Sequence, residues 1–233
     1  MTVIKKKNNQ HGKHHLRAIC FDLDGLLLDT EHTYRDGWLD AFEKMGIDQN
    51  AYDIDAWSGL SWLQTRTMLE AAFGAAMVTE IREARETYIL QQMTEGQIAV
   101  KAGAPEVLKA AKKKGLKLAV VSSTVSSRAL PLLENAGLLT YFDVKVFGDE
   151  VMKHKPLPDP YLVALAKLGV QDFQAIAVED SLTGALSATN AGLKVFVVPD
   201  KSFDKTFSDA ELAQVKLFGV GKDLHELVDM IKR

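Results

Sequence analysis

Arg17-Ala18-Ile19-Cys20-Phe21-Asp22 is the stretch that decides the fold, and Leu23-Asp24-Gly25 follows it directly. A short apolar run closed by a carboxylate reads as a strand buried on both faces. Four more runs of the same kind follow, at Leu116–Ser122, Val144–Phe147, Ala175–Glu179 and Lys194–Val198. Helical patterns separate the last four. One spans about Val125–Ala136 and stops at Gly137, one starts near Pro158 and stops at Gly169, and one spans about Leu182–Ala191 and stops at Gly192. Each glycine stands where a helix C-terminus favours a left-handed residue. Strand–helix alternation of this kind predicts a parallel, doubly wound α/β sheet.

The interval between the first two strands is far longer than a crossover needs. Pro105–Lys114, closed by Gly115, supplies the crossover helix, so residues 33–98 are surplus. They too read as helices. Tyr34, Trp38, Leu39, Phe42 and Met45 fall on one stripe ended by Gly46, and Leu60–Phe73 and Val78–Met93 follow. The expected organisation is a Rossmann-like core over residues 17–32 and 99–233, a helical cap over 33–98, and a disordered tail over 1–16. That tail holds Lys5, Lys6, Lys7, His11, Lys13, His14 and His15.

Composition sets outer bounds. The chain has 233 residues, 47% hydrophobic and 25% charged, with a formal net charge of −3, so no attraction to nucleic acid is implied. No apolar run is long enough to span a membrane. The single cysteine, Cys20, excludes an intrachain disulfide and reads as a buried thiol. The cytoplasm is the expected compartment, and a monomer or weak dimer the expected state.

In open α/β sheets, ligands bind outside the carboxyl ends of the strands. Here those ends carry Asp22 and Asp24, then Ser122-Ser123-Thr124, then a loop with Lys155-Pro156-Leu157-Pro158-Asp159, then Glu179-Asp180-Ser181. Taken singly, each is an ordinary cap or turn residue. Together they crowd carboxylates on one sheet edge. Two such charges about 4 Å apart repel by roughly 4 kcal/mol at an effective dielectric of 20. A cation must compensate, or some groups must stay protonated. An all-oxygen acidic set suits Mg²⁺. Lys155, the Ser122 hydroxyl and loop amides would hold a phosphate.

Phe21-Asp22-Leu23-Asp24-Gly25-Leu26-Leu27-Leu28-Asp29-Thr30-Glu31 resembles the first motif of the haloacid dehalogenase-like hydrolases. Ser122 resembles their second, Lys155-Pro156-x-Pro158-Asp159-Pro160 their third, and Glu179-Asp180-Ser181-x-x-Gly184 their fourth. The resemblance runs from about residue 17 onward and is nearest the beta-phosphoglucomutase-like phosphatases. It implies a helical cap inserted between the first two motifs. It implies Asp22 as covalent nucleophile and Asp24 as general acid and base. Ser122, Ser123 and Lys155 would bind the phosphoryl oxygens. Mg²⁺ would be held by Asp22, the backbone carbonyl of Asp24, Asp180, and Glu179 either directly or through water.

The implied activity is hydrolysis of small phosphate monoesters, with sugar phosphates as the expected substrates. Beta-phosphoglucomutase is the alternative, and a non-catalytic phosphate-binding module is the alternative from another class. The mutases hold a second phosphate with basic cap residues. Pairing the caps puts Trp62 where the mutase has Arg, Tyr34 where it has a catalytic His, and Ala84 near its Lys, which speaks against the mutase. Arg66, Arg82 and Arg85 are candidates either for substrate contact or for a solvated helix face.

Overall fold

The computed structural model describes residues 15–57, 62–200 and 206–232, with only the backbone for 62–64. The Lys/His-rich stretch through His14, the Gly59-Leu60-Ser61 turn and the Trp62 side chain lie outside the described residues.

Six strands form one parallel sheet in the order β3-β2-β1-β4-β5-β6. They are β1 (Ala18–Phe21), β2 (Lys117–Val121), β3 (Val144–Val146), β4 (Ala175–Glu179), β5 (Lys194–Val197) and β6 (Leu217–Val220). The five expected from the apolar runs are present, and β6 is an addition. Strand β1 is interior, paired with β2 and β4, and every one of its residues is buried. The helices are α1 (Thr30–Lys44), α2 (Trp62–Thr94), α3 (Ala104–Lys113), α4 (Ser126–Asn135), α5 (Asp159–Leu168), α6 (Leu182–Asn190), α7 (Asp209–Leu212) and α8 (Leu224–Lys232).

The two faces of the sheet differ in side-chain size. Ile19, Phe21, Leu118, Val120, Ile176 and Val178 point to one face, where Val107, Leu108, Leu224 and Leu227 of α3 and α8 cover them. Ala18, Cys20, Ala119, Ala175 and Ala177 point to the other. These small residues let Tyr161, Ala164, Ala185 and Ala188 of α5 and α6 come close. That matters for the site, because α5 and α6 follow directly on the third and fourth motif segments. Cys20 lies in this layer, and burial pushes its thiol pKa up to about 12, so it is unreactive.

Between β1 and α3 the chain forms a separate apolar cluster from Trp38, Ala41, Phe42, Ile54, Leu69, Val78 and Ile81. Trp38 meets Phe42 and Trp57 edge-on, at centroid distances of 6.5 and 5.4 Å. The two helices expected over Leu60–Phe73 and Val78–Met93 run on as α2, broken only at Gly74, whose φ of 78° and ψ of 159° interrupt the helical ladder. The far end of α2 returns to the sheet domain's apolar layer through Ile89 and Met93. No helix among the described residues is long and apolar enough to cross a membrane.

Candidate active site

Parallel pairing aligns the carboxyl ends of the strands, and the backbone ladder carries the functional residues into line. Asp22 N–H donates to Val178 O at 3.0 Å, and Ser122 N–H donates to Val146 O at 3.0 Å. Glu179 ends β4 itself, fully buried, and its carbonyl accepts from Val198 N–H at 2.8 Å. Asp180 follows, half-buried at the edge of the cleft.

Lys155 is the hub. Its Nζ donates to Asp22 Oδ1 at 2.5 Å, Glu179 Oε1 at 2.6 Å and Val121 O at 3.0 Å. An ammonium has three N–H groups, so all are used. Burial alone would lower the Lys155 pKa, but Asp22 and Glu179 outweigh it and hold the pKa above the ordinary lysine value. The carboxylates go the same way for the opposite reason. Burial first, with Glu179 and Asp24 adding and Lys155 opposing, raises Asp22 well above the usual carboxylate range. Burial, then Asp22 and Glu179, raises Asp180 likewise.

Two glycines make this packing possible. Gly25, at φ +80°, lies so near Asp180 that a Cβ would stand 2.3 Å from Oδ2. At Gly184 a Cβ would stand 2.1 Å from Glu179 Oε2. Overpacking a rigid interior costs about 1–3 kcal/mol. Gly184→Ala is therefore expected to lower stability by about that amount, read from urea unfolding. An unchanged urea midpoint would contradict the placement of Glu179 against α6.

Asp24 faces three hydroxyls. Tyr34 donates to Oδ1 at 2.8 Å, while Ser122 and Thr124 donate to Oδ2 at 2.9 and 2.8 Å. Ser122 also accepts from Thr124 N–H at 2.9 Å. Ser123 is exposed, and its backbone carbonyl lies against Gly148. Of the expected residues, the structure thus joins Asp22, Lys155 and Glu179 by direct bonds, with Asp180 beside them, and joins Asp24 to Ser122. Sequence reasoning gave no role to Thr124, although it lies two residues past Ser122. It also gave none to Tyr161, which donates to Glu179 Oε1.

Around Tyr34 the chain sets two guanidinium groups. Arg85 lies 5.4 Å from the Tyr34 ring centroid and 4.5 Å from that of Trp38, and Arg128 lies 6.0 Å from Tyr34. Burial lowers the Arg85 pKa to about 10. Glu86 pairs with both arginines. Of the other two candidate arginines on α2, Arg66 is paired with Glu70 at 2.8 Å on an exposed face, and Arg82 is exposed. A groove of about 710 Å³ along α2 is lined by Arg66, Arg82 and Glu86 but by none of the carboxylates at the strand ends.

The donor set fits a divalent cation. One carboxylate oxygen from each of Asp22, Glu179 and Asp180 lies within 4.8 Å of the others. Glu179 Oε2 is buried with no hydrogen-bond partner among the described residues. An orphaned carboxylate oxygen beside two acids of raised pKa is a costly arrangement that a hard cation relieves.

Residues 19–198 match the haloacid dehalogenase-like hydrolase family. The chain is similar to protein CbbY of Rhodobacter capsulatus, at 30% identity over 207 residues that cover 80% of this chain and 86% of the relative. It is also similar to a phosphorylated carbohydrates phosphatase of Thermotoga maritima, at 32% identity over 185 residues covering 77% of this chain and 83% of the relative. A crystal structure of CbbY from Rhodobacter sphaeroides in complex with phosphate matches with a TM-score of 0.69 at 28% identity, covering 91% of this chain and 96% of that one. With its four motif segments gathered at one sheet edge, the chain belongs to the haloacid dehalogenase-like hydrolase family, in its phosphatase group.

Proposed function

We propose that this enzyme hydrolyses small phosphate monoesters, sugar phosphates among them, through an aspartyl phosphate on Asp22. The observation that carries the reading is the placement of Asp22. It follows directly on an interior strand, bonded to Lys155 and beside Glu179 and Asp180, with Asp24 two residues away on a different set of partners. The Thermotoga relative, named for phosphorylated carbohydrates, supports the substrate class.

In the first step an Asp22 carboxylate oxygen bonds to phosphorus. The phosphorus–oxygen bond to the substrate alcohol breaks, and Asp24 gives its proton to the departing oxygen. In the second, water attacks the phosphoryl group, Asp24 takes a proton from that water, and inorganic phosphate leaves Asp22. A hydroxyl accepts as well as donates. Tyr34, Ser122 and Thr124 can therefore turn to suit either protonation state of Asp24. Lys155 and Ser122 are the candidates to meet the phosphoryl oxygens, with Ser123 beside them. Because all three Lys155 protons are engaged, substrate must take over one of their acceptor positions. Mg²⁺, held by Asp22, Asp180, Glu179 and the backbone carbonyl of Asp24, would neutralise charge on the transferring group. Residues 33–98 act as the cap that sets substrate preference, and the enzyme works in the cytoplasm, where its one thiol stays reduced.

A panel of sugar phosphates, with nitrophenyl phosphate and with or without Mg²⁺, tests this. Metal-dependent release of inorganic phosphate from several sugar phosphates is expected. Absence of turnover across the panel would sink the reading. Conversion of beta-glucose 1-phosphate to glucose 6-phosphate, faster than phosphate release, would replace it with the mutase.

A further inference from the structure

Tyr161 belongs to none of the motif positions, yet it is completely buried beside the catalytic centre. It sits in the first turn of α5, three residues after the Pro158 that closes the Lys155 loop. A buried tyrosine hydroxyl needs a partner somewhere. Any backbone carbonyl would meet that need. Here the partner is Glu179 Oε1, the same oxygen that accepts from Lys155. The Tyr161 ring lies 5.3 Å from the same Lys155 ammonium. One side chain thus touches both members of the Lys155–Glu179 pair.

The consequence is an asymmetry in Glu179. Among the described residues, Oε1 takes two donors and Oε2 takes none. A carboxylate pinned through one oxygen has its rotation fixed, so the group is held in one orientation beside Asp22 and Asp180. The hydroxyl has a second effect. When a phosphoryl group draws Lys155 away, Oε1 still has a donor, so no buried carboxylate oxygen is stranded there. Resting on the metal reading above, we propose that Tyr161 is a positioning residue that fixes Glu179 for Mg²⁺ through a hydrogen bond to Oε1.

Outer partners of metal-binding side chains are typically worth about 10–100-fold in metal affinity. Tyr161→Phe keeps the ring and removes only the donor. Mg²⁺ alone is titrated by calorimetry into metal-free wild type, Tyr161→Phe, Glu179→Gln and the double variant. The fold is checked by circular dichroism, and Tyr161→Met serves as a second hydroxyl-free variant should Tyr161→Phe not fold. The Mg²⁺ dissociation constant is expected to rise about 10–100-fold in Tyr161→Phe. In the Glu179→Gln background the same change should add little, because its route is gone. Unchanged affinity in a folded Tyr161 variant would overturn the inference and leave the proposed function standing. So would full additivity with Glu179→Gln, which would place the effect elsewhere. Failure of wild type to bind Mg²⁺ would overturn this inference and the metal reading together.

Discussion

Asp22→Asn is expected to reduce turnover to background with every phosphate ester. The substitution keeps the shape of the side chain and removes its charge. An amide oxygen is a poor nucleophile toward phosphorus, so no covalent intermediate forms. The same change takes one carboxylate from the Asp22, Glu179 and Asp180 set, weakening any cation there. Two functions fail together, so the loss should exceed the roughly 10²–10⁴-fold that acid–base assistance is worth. Folding should survive. Lys155 keeps Glu179 and the Val121 carbonyl as partners, and repulsion among the buried acids is relieved. The measurement is steady-state release of inorganic phosphate, beside a thermal melt. Residual activity within tenfold of wild type would remove Asp22 from the nucleophile's role.

Asp24→Asn should fail differently. Its nucleophile is intact, and its backbone carbonyl is unchanged. On the proposed mechanism, what goes is the proton for the leaving group and the base for the attacking water, worth about 10²–10⁴-fold. The loss depends on the leaving group. A sugar alkoxide needs the proton, so its first step should suffer in full. Nitrophenolate leaves without one, so its first step should be spared and the phosphoenzyme should accumulate. Rapid mixing with nitrophenyl phosphate should show a burst of nitrophenol from Asp24→Asn and none from Asp22→Asn. Equal losses in both variants on both substrates, with no burst, would show the two carboxylates wrongly assigned. The hydrogen bonds bear on the choice of substitution. Tyr34, Ser122 and Thr124 hydroxyls surround Asp24, and each can turn to meet an amide.

The core of the fold was legible because a parallel strand is buried on both faces and writes itself as an uninterrupted apolar run. Ala18–Phe21 and Ala175–Glu179 are of that kind, with every residue buried. Strand β6 is not. It lies at the sheet edge with Leu217, Phe218 and Val220 exposed, and Gly219 interrupts it where a Cβ would stand 3.1 Å from the Phe196 ring. Its short apolar stretch is broken by glycine and flanked by Lys216 and Gly221, so it does not stand out as a buried strand. The helices between strands announced their ends through glycine, as at Gly169, whose φ of 67° closes α5.

The site was legible in its charged members, since a carboxylate or lysine past a strand end has few bland explanations in company. Of its hydroxyl members, Ser122 was legible at its strand end and the others were not. Thr124, Tyr34 and Tyr161 act by where their oxygens point, and sequence carries no record of direction. Tyr161 in particular reads as an ordinary core aromatic until its hydroxyl is found on Glu179. The arginines show the same limit. Arg66, Arg82 and Arg85 look alike in the helical patterns of the sequence, yet of the three only Arg85 turns inward onto Trp38 and Tyr34.

The most direct test of the covalent mechanism is to catch the phosphoryl group on its residue. Asp24→Asn is mixed with nitrophenyl phosphate and Mg²⁺, quenched in acid during the burst, and digested for peptide mass spectrometry. One phosphoryl group per chain on the peptide containing Asp22, absent when Asp22→Asn is added to the same protein, is the expected result. A phosphoryl group on another residue, or a burst of nitrophenol with no phosphorylated peptide, would contradict it.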